Sequence, residues 1–416
     1  MLLISVKPWY AIARLFVAAV LITHIFFLWT VRSRIARGDP DFTVFYTAAK
    51  MIRKGLGPEL YDLGAQLQVQ QQFTRDSDIR RGALPYIHPP FEALLFIPLT
   101  LVGYGTAFLI WTLLNLLILT AVCWLCRDML PVLKQVRLWE FVLFCLGFFP
   151  VLANFHQGQD AIFLLLFVTL ALRSIDRDAP FAAGFWLGAG IFKYHLILPL
   201  VFILAVWRGR KLVWGFLPSS FAALLISLWI VGWPGVSQYP SVAWGVVSEP
   251  SLGGLPFRRL PNLAGLIGGL PLSSRWVWAQ RTVILLSSAV LICTVTRFQN
   301  FSAGRKSRRL CIASAVITAV LVAYSTNTYD LCLLIPALAI IVEYVILESP
   351  KRMTSILAFV VPVFFLCLSP LWFYLWMRWE KINLMAIFLL GLILAIRNAL
   401  LELGKTKGVS QQVVVG

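Results

Sequence analysis

Apolar stretches long enough to cross a lipid bilayer recur along almost the whole of this chain, and few features constrain a fold so tightly. A hydrocarbon core about 30 Å thick takes about 17 to 25 apolar residues in helical form. Within it every backbone N–H and C=O needs a partner from the protein, which leaves helices and closed barrels as spanning structures. Of the 416 residues, 60% are hydrophobic and 13% charged, whereas a soluble domain carries about a quarter charged. Several shorter apolar runs are paired around a polar break. The expected fold is an all-α integral membrane protein, a single polytopic domain over residues 1–416.

The formal net charge of +18 raises the question of a nucleic-acid partner. The basic residues, however, sit in short clusters between apolar runs rather than along one polar face, as cytoplasmic turns of a membrane protein do. No nucleic acid is expected to bind. The seven cysteines all fall in or beside apolar runs, with no His or carboxylate at ligand spacing, and read as small lipophilic side chains. That includes the Cys123 and Cys126 pair. Lys7, Arg14 and the apolar stretch to Trp29 lack a small-residue cleavage site and read as a retained signal anchor.

A cytoplasmic N-terminus followed by a first span near 9–30 delivers residues 31–103 to the outer face as a long first external loop. Pro89 to Leu101 is apolar but short, with Pro89, Pro90 and Glu92 at its start, and is expected to dip into the outer leaflet and return. Later spans are expected near 104–126, 138–152, 160–172, 181–192, 195–206 and 212–232. A second external loop over 233–275 precedes spans near 276–296, 308–324, 329–347, 353–376 and 382–401. This gives about twelve transmembrane helices with both termini cytoplasmic, and it places the knot Arg305, Lys306, Arg308 and Arg309 inside.

Polar groups beside membrane-spanning segments are costly and ask for a common explanation. On this topology they converge outside: Asp39, Asp41, Tyr86, His88, His156, Gln157, Gln159, Lys193, His195, Arg258, Arg259 and Asn327 to Asp330. Gly38 to Gly55 reads as a helix lying along the outer surface, capped by Asp39 and stopped by Gly55. Asp41 in its first turn is either a stabiliser of the helix end or a base for a hydroxyl proton, since the helix dipole favours the ionised form. Lys193 either snorkels to the interface or binds a phosphate. Arg258 and Arg259 are either solvated loop charges or a fork for an anionic headgroup. Taken singly, His88, His156 and His195 suit interfacial packing. No P-loop, GxGxxG, HExxH or GxSxG is present, so a substrate would arrive through the membrane.

Several motifs in order resemble glycosyltransferase family 87, the polyprenol-phosphate-mannose-dependent enzymes of the C-type membrane glycosyltransferase superfamily. They are DFTVFYTAAKMIRKG (Asp41 to Gly55) with LYD (Leu60 to Asp62), YIHPPFEALLFIPL (Tyr86 to Leu99) and GQDAIFLLL (Gly158 to Leu166). AGFWLGAGIFKYHLILPL (Ala183 to Leu200), PNLAGL (Pro261 to Leu266) and YDLCLLIPAL (Tyr329 to Leu338) complete the set.

The resemblance implies transfer of a hexose, mannose above others, from a polyprenyl-phosphate donor to a hydroxyl of a lipid or glycan acceptor, with inversion. The active site would face outward from the cell (inner) membrane. Asp41 is then the catalytic base. Lys193, Arg258, Arg259, His88 and Gln159 are expected on the donor side, and Tyr86, His156, Asn262 and Asn327 on the acceptor side. The cations take the place of a metal, and no cofactor is expected. Two positions depart from the pattern: Ser325 stands where many relatives carry histidine, and Asp160 stands where GQxN is usual. A membrane transporter or lipid-linked sugar flippase is the alternative from another class, because paired short helices and intramembrane charges also serve transport.

Overall fold

The computed structural model describes residues 7–74, 82–248, 259–270, 277–301, 304–348, 353–378 and 384–415. Arg258, one of the expected phosphate contacts, lies outside the described residues. Among those described the secondary structure is helical, with no strand.

The chain begins with α1 (Lys7–Ala36), about 45 Å of helix, followed by the shorter α2 (Phe42–Arg53) and α3 (Leu63–Gln71). A 3₁₀ helix, Pro90–Leu101, leads into α4 (Tyr104–Met129), α5 (Pro131–Lys134) and the bent pair α6 (Leu138–Leu146) and α7 (Phe149–Gln157). Next come α8 (Ala161–Asp176), α9 (Pro180–Ala189), α10 (Tyr194–Arg208) and α11 (Arg210–Ser248). The remainder is α12 (Leu263–Gly268), α13 (Val277–Thr296), α14 (Arg305–Val322), α15 (Leu334–Glu348), α16 (Met353–Cys367), α17 (Ser369–Arg378) and α18 (Met385–Val415).

Seven described helices are long and apolar enough to cross a membrane, and an eighth crossing results if the bent pair α6 and α7 counts as one. About twelve were expected from the apolar runs, and the difference has local causes. The expected crossing at 138–152 is broken at Phe148, where Pro150 opens α7 and the axis turns by 74°. The 181–192 stretch yields only the ten residues of α9, about 15 Å of helix. The 353–376 stretch is divided at Leu368 into α16 and α17. Nor is the 233–275 segment a loop throughout, since α11 bends at Gly232 and continues to Ser248.

The apolar surface is distributed as a bilayer requires. Leu15, Ile22, Ile25 and Phe26 of α1, and Leu285, Leu286 and Val290 of α13, are exposed. The span Thr328–Leu347 is 78% buried and occupies the middle of the bundle, whereas α13's span is 11% buried. Water would penalise such a surface, whereas lipid tails accept it.

Two apolar cores organise the interior. The larger joins α4 and α6 to α10 with α14 to α18. The smaller gathers α2, Leu60, Tyr61, Tyr86, the 3₁₀ helix, the start of α4, and Ile230 and Val231 of α11. At its centre Phe45 stacks on Phe96 at 4.7 Å. The helix expected to lie along the surface is therefore enclosed: Phe42 to Ala49 and Met51 of α2 are buried.

One helix contact is unusually close. A Cβ at Gly184 of α9 would stand 1.9 Å from the Leu212 carbonyl oxygen, and one at Gly215 of α11 would stand 1.9 Å from that of Phe181. Small residues let two backbones touch, which is how membrane helices gain packing without a hydrophobic drive.

Candidate active site

The site is built around the turn between α7 and α8. Gly158 ends α7 in the left-handed conformation, φ 61°, where a side chain would be strained. A Cβ there would also collide with Phe42 and Phe108. Its carbonyl accepts the Trp111 indole N–H at 2.9 Å. The turn so fixed sends three consecutive polar side chains to two different partners.

Two of them meet Asp41. The Gln159 amide donates to Asp41 Oδ2 at 2.8 Å, and the Asp41 backbone N–H donates to Gln157 Oε1 at 3.1 Å. Asp41 occupies the N-cap position of α2, but its side chain makes no capping hydrogen bond to that helix. Its carboxylate is turned across the chain instead. Asp39, expected as the cap, pairs with Arg34 at 2.8 Å. His156 sits one residue further out, within 3.3 Å of the Gln157 amide and against Phe27.

The third side chain, Asp160, meets Lys193. Lys193 ends a 3₁₀ turn, Ile191–Lys193, at the α9 to α10 junction and is 3% exposed. Its ammonium lies 2.8 Å from Asp160 Oδ1 and 2.7 Å from Asp330 Oδ1. Asp330 Oδ2 accepts the Asn327 backbone N–H at 2.8 Å, which ties the 3₁₀ turn Thr328–Leu333 to the same centre. The ammonium also stands 4.8 Å above the Tyr329 ring. The Asp41, Asp330 and Asp160 carboxylates all lie near enough to act electrostatically on the Tyr329 hydroxyl.

Behind Asp160 lie His88 and Glu92. His88 Nδ1 is 2.8 Å from Glu92 Oε2 and 3.9 Å from Asp160 Oδ2. Burial, helped by Lys193 and opposed by Asp160, brings His88 down to about 4, which leaves the imidazole neutral at neutral pH. Burial and then the neighbouring Asp160 raise Glu92 well above the usual carboxylate range, which favours the protonated acid beside Asp160. One ammonium between two carboxylates, backed by a neutral acid and a neutral imidazole, is an arrangement a low-dielectric interior tolerates. His88, Glu92 and Asp160 bring ligand atoms within 4.8 Å of one another and could hold a cation. The Lys193 ammonium already meets the Asp160 oxygen that faces it.

The structure thus brings together Asp41, Gln159, His88, Lys193 and Asn327. Two expected acceptor contacts are otherwise engaged. Tyr86 has no exposed surface and donates its hydroxyl to the Pro89 carbonyl. Asn262 is buried, with Oδ1 accepting from Gly265 N at 2.8 Å and its amide donating to the Ala323 carbonyl. It caps α12 and anchors the end of α14. Arg259 is half-buried just before α12. Ser325 is half-buried beside Tyr324, whose hydroxyl meets that of Tyr194 at 2.7 Å; His195 packs on the Tyr324 ring at 5.3 Å.

Sequence reasoning missed Glu92 as a member of the centre, took in Tyr329 only as part of the stretch Asn327 to Asp330, and read Asp160 only as a departure from a pattern. The i, i+4 spacing of His88 and Glu92 was the available signal. Nothing local announces the pairing of Lys193 with Asp160 and Asp330, which unites residues far apart in the chain.

A family model described as glycosyltransferase family 87 matches residues 86–326, more than half of the chain. The match includes His88, Gln159, Asp160 and Lys193, while Asp41 and Asp330 lie beyond its ends. No curated protein and no solved structure matches.

Proposed function

The chain belongs to glycosyltransferase family 87, and from that premise we propose that this membrane glycosyltransferase moves mannose from a polyprenyl-phosphate donor to a hydroxyl of a lipid or glycan acceptor. The observation that carries the reading is the Asp41 carboxylate, turned away from its own helix and held by Gln159 beside the Lys193 cluster.

In the proposed reaction an acceptor hydroxyl gives its proton to Asp41 as its oxygen attacks the anomeric carbon. The bond from that carbon to the phosphate oxygen breaks, its electron pair leaves with polyprenyl phosphate, and the anomeric centre inverts. Gln159 holds one carboxylate oxygen so that the other faces the acceptor. Lys193 meets the charge developing on the phosphate once a phosphate oxygen takes the place of one of its two carboxylates. Arg258 and Arg259 serve the same headgroup, and His156 and Asn327 border the acceptor. On this reading the helical bundle crosses the cell (inner) membrane. Both termini are cytoplasmic, and the 31–103 segment stands over the site on the external face.

The test supplies purified protein with polyprenyl-phosphate mannose and a panel of lipid acceptors, comparing wild type with Asp41→Asn. Transfer by wild type and its loss in the variant is the expected result. Equal transfer by both overturns the assigned base. Failure with every donor sugar, alongside movement of lipid-linked sugar between leaflets, overturns the transferase reading in favour of a flippase.

A further inference from the structure

The end of the bundle remote from Asp41 contains a cavity of about 200 Å³ that the transfer chemistry does not use. Its lining includes Pro131, Arg305, Lys306, Arg309, Glu343 and Leu347. α14 starts here with Arg305 and ends at Val322, next to the Ala323 carbonyl that Asn262 holds near the active site. The 18 residues of that helix place the two regions about 27 Å apart.

The charges are arranged in depth. Arg305 and Lys306 are exposed at the rim, on the positive end of the α14 dipole. Arg309 is buried below them; its Nη1 donates to Glu343 Oε1 at 2.7 Å and its Nε to Asp176 Oδ1 at 3.2 Å. Arg305 reaches Asp176 Oδ2 at 2.8 Å. Two arginines thus share two carboxylates, and Lys306 stands beside them on the cavity wall. Glu343 is 6% exposed; the Val132 backbone hydrogen-bonds toward its carboxyl, and among the described residues Oε2 makes no hydrogen bond of ordinary distance and angle. A buried carboxylate oxygen without a donor is costly. Leu347, 52% exposed, extends the apolar wall outward.

We propose that this cavity seats the headgroup of a membrane lipid that carries both a phosphate and a primary ammonium, as in phosphatidylethanolamine. The phosphate meets Arg305 and Lys306 at the rim. The ammonium descends to Glu343 Oε2 and supplies the missing donor. The acyl chains leave along Leu347 and Pro131 toward the bilayer. A purely cationic patch would select anionic lipids, whereas the carboxylate at the bottom selects a headgroup with an N–H at its tip.

Detergent-purified full-length protein is offered equal amounts of phosphatidylethanolamine, phosphatidylcholine and phosphatidylglycerol, and the lipid retained is read by native mass spectrometry. A charge-assisted hydrogen bond corresponds to about tenfold in retention, so the ethanolamine lipid should exceed the choline lipid by that factor. Glu343→Gln should remove most of the preference, whereas Lys306→Ala, which touches only the phosphate common to all three lipids, should lower the retention of each and leave the preference in place. If loss of Glu343 prevents folding, N-methylated ethanolamine lipids test the same contact on wild type, with retention persisting until the third methyl removes the last N–H. Equal retention of ethanolamine and choline lipids, or dominance of phosphatidylglycerol, overturns the proposal. Retention of free phosphoethanolamine equal to that of the lipid overturns the membrane source.

Discussion

Asp160 and Lys193 form a buried ion pair, Oδ1 to Nζ at 2.8 Å, with Asp330 completing the coordination of the ammonium from the other side. Lys193→Met should leave two buried carboxylates facing each other and cost about 3 to 5 kcal/mol. Combining it with Asp160→Asn should recover part of that loss. Unfolding midpoints in detergent for the single and double variants give the coupling, and strict additivity would show that the pair does not interact.

Gln159 is the donor that holds Asp41 Oδ2 at 2.8 Å. Gln159→Leu removes a hydrogen bond to a charged group, worth about 1.5 to 3 kcal/mol, and should slow transfer about tenfold or more with little change in acceptor KM. Gln159→Glu should slow it further by setting a second carboxylate against the base. Steady-state kinetics on folded protein check both; unchanged turnover in the leucine variant would remove Gln159 from the role of positioning Asp41.

Glu92 gives a signed pH dependence. Burial, then Asp160, hold its folded-state pKa above the unfolded value, so above the unfolded pKa the native state binds more protons than the unfolded chain. Its contribution falls as pH rises through that window, by at most about 1.4 kcal/mol per pH unit. Glu92→Gln, neutral at every pH, should flatten this part of the curve and melt higher than wild type at alkaline pH. Parallel slopes for the two proteins from pH 5 to 9 would refute the assignment.

The α9 to α11 contact should resist even a methyl group. Gly184→Ala drives Cβ toward the Leu212 carbonyl oxygen and should cost about 1 to 3 kcal/mol as the helices part. Gly184→Leu should abolish stable folding. Thermal melting in detergent distinguishes these outcomes, and a neutral alanine variant would mean the two helices separate freely.

How much of this was legible in the sequence depended on whether a property is local. The apolar runs announce an all-helical membrane protein because length and composition decide crossing. They do not announce the 74° turn at Phe148 or the break at Leu368, where proline and tertiary packing divide a run that looks continuous. Gly55 as the stop after α2 was visible, because φ +78° there suits glycine. That α2 is enclosed rather than lying on a surface was not, since its periodic apolar face says nothing of what covers the other side. Asp41 and Gln159 could be proposed from their places beside span ends. The cluster of Lys193 with Asp160 and Asp330 required the fold, because three separate turns supply it.

The indole of Trp111 holds the carbonyl of Gly158, a residue that leaves no room for even a methyl, and the neighbours of that glycine reach Asp41 on one side and Lys193 on the other. On the proposed reading, the spacing between proton acceptor and phosphate anchor is thus gauged by the tryptophan at the Gly158 carbonyl. Lengthening the turn by a single residue would shift the two halves of the chemistry out of step while leaving every reacting group in place.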